Sequence, residues 1–326
     1  MANINNYLLE VDDLKTYFPI KKGLLRRTTG YVKAVDGISF GIKKEQTLGL
    51  VGESGCGKTT AARSIVRLVP ATKGRVIFDQ EDILTADKVK LRRLRRQISL
   101  IFQDPFGSLN PRMTVGNTIG EPLQVQRRVS GSELTDRVTV LLSKVGLSPD
   151  HINRYPHEFS GGQRQRIGVA RALASGPKLV ICDEPVSALD VSIQSQILNL
   201  LKDLQEEFGL TFLFIAHDLA VVEFFCDIVA VMYMGRIVER AASQDLYQNP
   251  LHPYTRALIS AIPRGEPSLR GPKTTVSGEV PSASNPPAGC AFGPRCPWRR
   301  DDCLKQAPAL KQRSDNKGHF VACWKY

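Results

Sequence analysis

A glycine-rich loop between an apolar segment and a helix-forming segment constrains this chain more than any other feature. The stretch Thr47 to Thr60 reads TLGLVGESGCGKTT, in which a short apolar run ends at Val51 and a G-x-x-x-x-G-K-T spacing follows. In an α/β fold, glycines at this spacing let backbone N–H groups turn inward at the start of a helix, where they bind phosphate oxygens. A simple glycine turn between a strand and a helix would not require the full spacing. The sequence therefore predicts a phosphate-binding loop.

The loop also supplies side chains for nucleotide binding. We expect Lys58 to reach the outer phosphates of a bound nucleotide and the Thr59 hydroxyl to bind Mg²⁺. The predicted nucleotide-binding residues of the loop are Gly52, Glu53, Ser54, Gly55, Cys56, Gly57, Lys58, Thr59 and Thr60.

A second apolar segment ends in two acids. Lys178 to Asp190 reads KLVICDEPVSALD, which predicts a buried strand followed by Asp183 and Glu184. In nucleotide hydrolysis one such carboxylate holds Mg²⁺ through water and another polarises the attacking water. We assign the first role to Asp183 and the second to Glu184. Two acids at a solvated strand end are the simpler alternative, but that alternative does not explain why the phosphate loop is also present.

A third motif carries a family resemblance. Phe159 to Arg166 reads FSGGQRQR, and the order of phosphate loop, this motif, Asp-Glu strand and His217 resembles the ATP-binding cassette (ABC) ATPases over residues 7 to 240. The resemblance implies an α/β fold, namely an ABC-type P-loop nucleotide-binding domain with a mainly parallel sheet. It also implies an antiparallel β subdomain, a helical subdomain and a small C-terminal cysteine-containing module.

The resemblance implies roles for residues outside the loop. Gln103 approaches Mg²⁺ and the attacking water, and His217 contacts the γ-phosphate, so both join Glu184 as catalytic residues. In this family an aromatic side chain near the N-terminus stacks on adenine. The candidates are Tyr17, which leads, and its rivals Phe18 and Tyr31.

Two cassettes of this family pack head to tail, and the serine-glycine motif of one closes on the γ-phosphate held by the other. The segment SALD, Ser187 to Asp190, crosses the same interface. Taken alone, Ser-Gly-Gly before a helix is also an ordinary helix cap. The predicted nucleotide-binding residues of this face are Ser160, Gly161, Gly162, Gln163 and Asp190.

Local patterns predict further elements. Alternating residues favour strands at 7–14 and Val32 to Phe40, with a basic, turn-like segment at 21–30 between them. Residues 110–157 show helical periodicity broken by prolines, which would be a helical subdomain at about 104–158. The expected breaks are at Pro122, Pro149 and Pro156.

Length, composition and charge limit the number of domains and the expected location of the protein. The chain has 326 residues, of which 42% are hydrophobic, so it has room for one large and one smaller domain. No apolar run approaches the roughly 20 residues needed to span a bilayer, and the N-terminus lacks a signal-peptide pattern. We expect a peripheral protein at the cytoplasmic face of the inner membrane. The net charge of +12 suits acidic partners, although nucleic acid is not among the expected ones.

The composition changes from Asn249 onward, and we place a boundary near Pro263. The predicted domains are 1–262, the ATPase, and 263–326, the C-terminal extension. The words HPYTRAL and the tail are similar to the extension of oligopeptide and dipeptide importer ATPases.

That resemblance implies an ATP-hydrolysing subunit that powers import of di- or oligopeptides. Its partners would be a second ABC ATPase in a heterodimer, two transmembrane permease subunits and an extracytoplasmic substrate-binding protein. Importers of nickel, glutathione or another small solute are alternatives. A non-transport ABC ATPase of DNA repair or translation and a scaffold that binds ATP without cleaving it are further ones.

Four cysteines in the tail indicate a metal-binding module. Cys290, Cys296, Cys303 and Cys323 have the spacing C-x5-C-x6-C-x19-C. A module of about 60 residues buries little surface and needs a covalent or metal staple. Disulfides are disfavoured in the cytosol, and zinc usually takes a C-x2–4-C pair that is missing here. Similar tails of peptide-importer ATPases carry a [4Fe–4S] cluster, which we expect here, with zinc or unligated thiols as alternatives.

Overall fold

A computed structural model describes residues 7–23, 27–103, 107–127, 129–187, 189–262, 278–279 and 281–326. Contacts between residues divide the chain into two units. The loop unit contains Tyr7–Ile42, Thr47–Leu84 and Ala216–Tyr326, and the helical unit contains Lys43–Gln46 and Thr85–Ile215.

The helices and strands follow one another along the chain in mixed order. The first are β1 Tyr7–Lys22, β2 Arg27–Lys43, β3 Thr47–Val51, α1 Lys58–Ile65, β4 Lys73–Phe78 and β5 Glu81–Asp82. Next come α2 Lys88–Arg95, β6 Ile98–Ile101, α3 Val115–Arg127, α4 Gly131–Lys144, α5 Gly161–Ala174, β7 Leu179–Asp183, α6 Val191–Phe208 and β8 Thr211–Ala216. The last are α7 Leu219–Phe225, β9 Ile228–Tyr233, β10 Arg236–Ala242, α8 Ser243–Gln248, α9 Pro253–Ser260, α10 Asp301–Lys305, β11 Lys311–Gln312 and β12 Phe320–Val321.

An antiparallel sheet forms one layer of the loop unit. Its strand order is β2-β1-β4-β5, and β4 is antiparallel to both β1 and β5. The strands extend further than predicted, because residues 21–22 and 27–30 of the basic segment belong to β1 and β2. The hydrogen bonds of a β-ladder join backbone groups, so they form even where the solvated side chains are positively charged. The basic residues therefore did not end the strands. Residues 24–26 lie outside the described residues.

The second sheet of the loop unit holds the strand that leads into the phosphate loop. β3 runs parallel to β9, and β9, β10, β12 and β11 continue antiparallel. All five residues of β3 are buried, which explains its short, continuous apolar sequence. The tail therefore adds two strands to the sheet of the phosphate loop.

The helical unit is built on three parallel strands, β6, β7 and β8. Every residue of β7 and β8 is buried. Helix α6 runs from Val191 to Phe208 and ends at Gly209, whose φ is +61°. No helix in the described ranges is long and apolar enough to cross a bilayer.

The predicted break at Pro122 is wrong, since Pro122 lies inside α3. Proline removes one helical hydrogen bond. The helix nevertheless continues because its apolar face is buried at the spacing of successive turns, through Val115, Ile119 and Leu123. Pro149 and Pro156 do begin short 3-10 turns after α4, as breaks in the helical pattern.

The domain boundary proposed near Pro263 stays untested by the structure. Pro263 lies outside the described residues, so the boundary there stays a prediction. The tail residues from 281 onward belong to the same compact unit as β1 and the phosphate loop.

Candidate nucleotide-binding site

The phosphate loop holds its shape through two glycines that no other residue could replace without movement. Gly57 has φ +108°, and a Cβ there would lie 2.0 Å from the Ala34 carbonyl oxygen. Gly52 has φ +153°, and its Cβ would lie 2.2 Å from the Met232 carbonyl oxygen. Strands β2 and β9 thus pack directly on the loop backbone, which requires glycine at both positions.

Lys58 is the first residue of α1 and is 5% exposed. Its ammonium donates to the carbonyls of Gly52 at 2.8 Å and Glu53 at 3.1 Å, so the side chain folds back over the loop. The first turn of α1 contains no acid. A helix N-terminus with a buried ammonium and no opposing carboxylate in its first turn suits an anion. The loop therefore fits the phosphates of a nucleotide.

The Cys56 side chain packs inside the loop. It is buried, and burial raises the pKa of its thiol above the ordinary value. Cys56 is therefore a neutral packing residue, and any contact with phosphate would come from its backbone N–H. Ser54 and Gly55 lie exposed at the tip of the loop.

The Tyr17 side chain is hydrogen-bonded to strand β2, which packs on the phosphate loop. Its hydroxyl donates to Asp36 in β2, which also accepts from Arg236 at 2.6 Å. Burial raises the pKa of Tyr17, and the carboxylate beside it raises the pKa further. Phe18 is 41% exposed and Tyr31 is 52% exposed. The stacking of any of these three rings on adenine stays a prediction.

Asp183 and Glu184 lie at the carboxyl end of β7 in the helical unit. Asp183 is buried, whereas Glu184 has φ +51°, which is unusual for a residue with a side chain. The Glu184 amide donates to the Ile215 carbonyl at 2.9 Å, and its carboxylate accepts from Gln103 Nε2 at 3.0 Å. The structure therefore brings the predicted base and the predicted glutamine together.

Ser160 caps helix α5. Its hydroxyl accepts from the Gln163 amide at 3.4 Å, and the Gln163 side chain accepts from the Ser160 amide at 3.0 Å. A Cβ on Gly162 would lie 2.6 Å from Ile193 of α6. This close approach places Ser160 to Gln163 beside the start of α6, which Asp190 precedes as the N-cap residue. Both Ser160 and Asp190 are exposed, and Ala188 lies outside the described residues.

His217 directly follows β8 and is exposed. The next residue, Asp218, begins α7 by accepting the Ala220 amide at 2.8 Å. His217 belongs to the loop unit, whereas Gln103, Asp183 and Glu184 belong to the helical unit.

The comparison with known proteins decides the family. A family model described as ABC transporter matches residues 35–187, and one described as the C-terminal region of oligopeptide/dipeptide transporters matches residues 238–303. The oligopeptide transport ATP-binding protein AppF of Bacillus subtilis is 52% identical over 98% of this chain and 97% of AppF. OppF of Escherichia coli is 52% identical over 98% of this chain and 96% of OppF.

This chain belongs to the oligopeptide group of ABC transporter ATP-binding proteins. As a member of that family it is an ABC-type ATPase, and ATP with Mg²⁺ is the substrate expected for such an enzyme.

Solved ABC cassettes share the fold. CbiO1 of Clostridium perfringens, part of an ABC transporter complex, is 28% identical with a TM-score of 0.65, and the match covers 75% of this chain and 92% of CbiO1. The cassette MJ0796 has been solved as a dimer bound to ADP and phosphate. It is 28% identical with a TM-score of 0.64, over 72% of this chain and 98% of MJ0796.

The four tail cysteines of this ABC ATPase are free and half-buried. They line one small cavity together with His252, and burial raises the thiol pKa of Cys290, Cys296 and Cys323. Within the described ranges, no group of three or more His, Cys, Asp or Glu side chains is arranged to hold a metal ion. The predicted ligands therefore share a cavity without converging on one point.

The sequence analysis missed the residues that join the tail to the phosphate loop. Arg295, next to Cys296, bonds the Glu53 carboxylate with Nη1 at 3.0 Å and Nη2 at 3.3 Å. The Tyr254 hydroxyl accepts the Glu53 amide at 2.8 Å. Tyr254 lies in the HPYTRAL segment, so the family resemblance included this residue but assigned it no role. No local pattern could have pointed to Arg295, because its partner lies 242 residues earlier.

Proposed function

We propose that this ABC ATPase powers a membrane importer of di- or oligopeptides. The observation that carries the proposal is the 52% identity over nearly the whole chain to oligopeptide transport ATP-binding proteins, which includes the matched C-terminal region. The match of residues 238–303 to a C-terminal region of oligopeptide/dipeptide transporters favours an importer over a DNA-repair or translation ATPase. Import of nickel, glutathione or another small solute is the second candidate, because selectivity in such importers resides in other subunits.

The chemistry proposed for the chain follows from its side chains. Lys58 and the α1 N-terminus offset the charge of the phosphates. Thr59 and Asp183 would hold Mg²⁺, which neutralises the β- and γ-phosphates when bound. Glu184, oriented by Gln103, takes the proton of the attacking water, and His217 contacts the γ-phosphate. The strained backbone at Glu184, which costs about 1–3 kcal/mol, supports this role because such strain is common at catalytic residues.

Completion of the site would need a second cassette. Ser160 and Asp190 are exposed, and Gly161 to Gln163 are half-buried. A partly open surface of this kind suits contact with nucleotide held by another subunit. We assign the partners as a second ABC ATPase in a heterodimer, two permeases and an extracytoplasmic binding protein. The chain would act at the cytoplasmic face of the membrane.

A transport assay tests this function. The chain is co-expressed with its cognate permeases and second ATPase and reconstituted into vesicles with the binding protein. We expect uptake of di- or oligopeptides that depends on ATP and is lost in Glu184→Gln. ATP-dependent uptake of nickel or glutathione, without any uptake of peptides, would select the second candidate.

We further propose that Cys290, Cys296, Cys303 and Cys323 hold a [4Fe–4S] cluster with a structural role. Zinc sites usually contain a C-x2–4-C pair, and the spacing C-x5-C-x6-C-x19-C of these cysteines has none. A cluster takes thiolates around a body of several atoms, so it tolerates wider spacing around a common cavity. Gly289 supports the fold of this module, since a Cβ there would lie 2.2 Å from the Cys303 carbonyl oxygen.

Anaerobic purification tests the cluster. We expect a brown protein with iron and acid-labile sulfide, and loss of both in Cys296→Ser. The buried Cys182→Ser is the matched control, because Cys182 lies in β7 of the helical unit. A colourless preparation with stoichiometric zinc would replace the cluster with zinc, and a preparation free of metal would reject both.

A further inference from the structure

The Arg295 side chain joins the C-terminal module to Glu53 of the phosphate loop, within the loop unit. Its guanidinium makes a two-pronged ion pair with the carboxylate, and Nη1 also reaches the Tyr233 hydroxyl at 3.4 Å. The Arg295 side chain is 10% exposed and the Glu53 side chain 32%. Water screens such a pair weakly, and its planar geometry fixes the carboxylate.

Three contacts hold Glu53, which is a residue of the phosphate loop. Its carboxylate holds Arg295, its amide donates to the Tyr254 hydroxyl at 2.8 Å, and its carbonyl accepts from Lys58 at 3.1 Å. The residue that binds the tail is thus the same residue that holds the Lys58 ammonium in the loop. A change at the carboxylate would reach the phosphate-binding ammonium through one residue.

The charge of Glu53 opposes the task of the loop. A loop of eight residues that binds a polyanion places this carboxylate within about a Debye length, roughly 8 Å at physiological salt, of the phosphates. Like charges at such a separation repel, more strongly where the surroundings are poorly solvated. Arg295 cancels this charge from outside the loop, whereas Lys58 remains directed at its own carbonyl partners.

We propose that Arg295 is a positioning residue for the phosphate loop, which neutralises and orients Glu53 so that the loop binds polyphosphate. The C-terminal module thereby contributes to nucleotide affinity through a single side chain. The proposal concerns nucleotide binding, which all members of the family share. It stands whichever solute is transported and whether or not the cysteines bind a cluster.

Calorimetric titration of the full-length chain with MgADP tests the proposal. In Arg295→Ala, Glu53 keeps an uncompensated charge, and we expect affinity about tenfold weaker in 50 mM salt, with the defect shrinking to about threefold or less in 500 mM salt. In Glu53→Gln the positive charge of Arg295 is left without its partner and attracts the phosphates, so affinity for MgADP should rise by about two- to fivefold. The double variant carries neither charge and should bind within about threefold of the wild type.

Two further variants separate charge from packing. Arg295→Lys keeps the charge without the two-pronged geometry and should lie between the wild type and Arg295→Ala. Arg299→Ala removes an exposed arginine from the same module and should bind as the wild type does. In the assembled complex, Arg295→Ala should raise the KM for ATP while kcat stays within about twofold, since the residue acts on ground-state binding.

Three results would overturn the proposal. The first is wild-type affinity in Arg295→Ala. The second is a double variant as weak as Arg295→Ala at every salt concentration, which would mean that Arg295 only supports packing. The third is weaker MgADP binding in Glu53→Gln, which contradicts the repulsion on which the proposal rests. This third result tests the proposal by itself if Arg295→Ala fails to fold.

Discussion

Glu184 combines a left-handed backbone with a carboxylate that Gln103 holds at 3.0 Å. Glu184 directly follows the buried strand β7, which ends at Asp183, and is only partly buried. Asp183 itself stays buried with the strand. Two adjacent acids thus receive different surroundings from one change of backbone angle, which matches the different roles proposed for them.

Glu184→Gln should bind MgATP with nearly wild-type affinity but hydrolyse it about 10² to 10⁴ times more slowly, because the amide keeps the shape and cannot accept a proton. Single-turnover hydrolysis in the assembled complex measures the effect. Glu206→Gln, on an exposed position of α6, is the control and should be unaffected. Near-normal turnover in Glu184→Gln would remove the catalytic assignment.

Asp36 gives a prediction about pH. Burial alone would raise its pKa, but hydrogen bonds from Tyr17 and Arg236 outweigh burial and hold the pKa below the ordinary value. A carboxylate with a depressed folded-state pKa stabilises the fold above its unfolded pKa of about 3.9, and loses that contribution as the pH falls through the folded value.

Asp36→Asn should therefore lower the urea midpoint most at pH 7, and the difference from the wild type should narrow as the pH falls below about 4. Urea unfolding between pH 7 and pH 3 measures this difference. The exposed Asp203→Asn should show no such trend. A difference that widens in acid would contradict the hydrogen-bond assignment.

At the scale of elements, an aromatic cluster attaches the tail to the loop unit. Phe292 is 1% exposed, and its ring centroid lies 5.4 Å from that of Tyr233 and 5.5 Å from that of Tyr254. Tyr254 in turn accepts the Glu53 amide. The cluster therefore supports both the cysteine module and the phosphate loop.

Phe292→Ala should destabilise the loop unit by about 3–5 kcal/mol, because it removes buried ring surface and leaves a cavity. The half-exposed Phe224→Ala is the control and should cost about 1 kcal/mol or less. Urea unfolding followed by tyrosine fluorescence reports the loss. Equal effects in the two variants would mean that the tail does not depend on this cluster.

Elements with a local signal were predictable, and those that depend on distant contacts were not. Helix α6 has such a local signal, because its apolar residues recur at helical spacing up to Phe208 and Gly209 ends it. The predicted helix break at Pro122 was wrong because burial of the apolar face of α3 offsets the loss of one helical hydrogen bond. The Gln103 role came from the family, and only coordinates could place it beside Glu184. The Arg295 contact spans 242 residues, and no periodicity extends over such a separation.

At the scale of the whole molecule, the proposal that another subunit completes the site predicts slow ATP hydrolysis by the isolated chain. The rate per chain should rise by at least tenfold when the second ATPase and permeases are added, because the serine-glycine face then closes on bound nucleotide. Phosphate release measures the rate, and light scattering reports the oligomeric state. A chain that remains monomeric during the assay and matches the rate of the full complex contradicts the shared site.

The tail strand β12 pairs with β10, and Arg295 reaches back to Glu53, so both ends of the chain contribute to the loop unit. The helical unit comes mainly from one continuous stretch, Thr85–Ile215. During synthesis that stretch leaves the ribosome long before residue 295 does, and domains generally fold as they emerge. A nascent chain can therefore form its helical unit while the phosphate loop still lacks its last support. Full nucleotide affinity would appear only in chains in which residue 295 has left the ribosome.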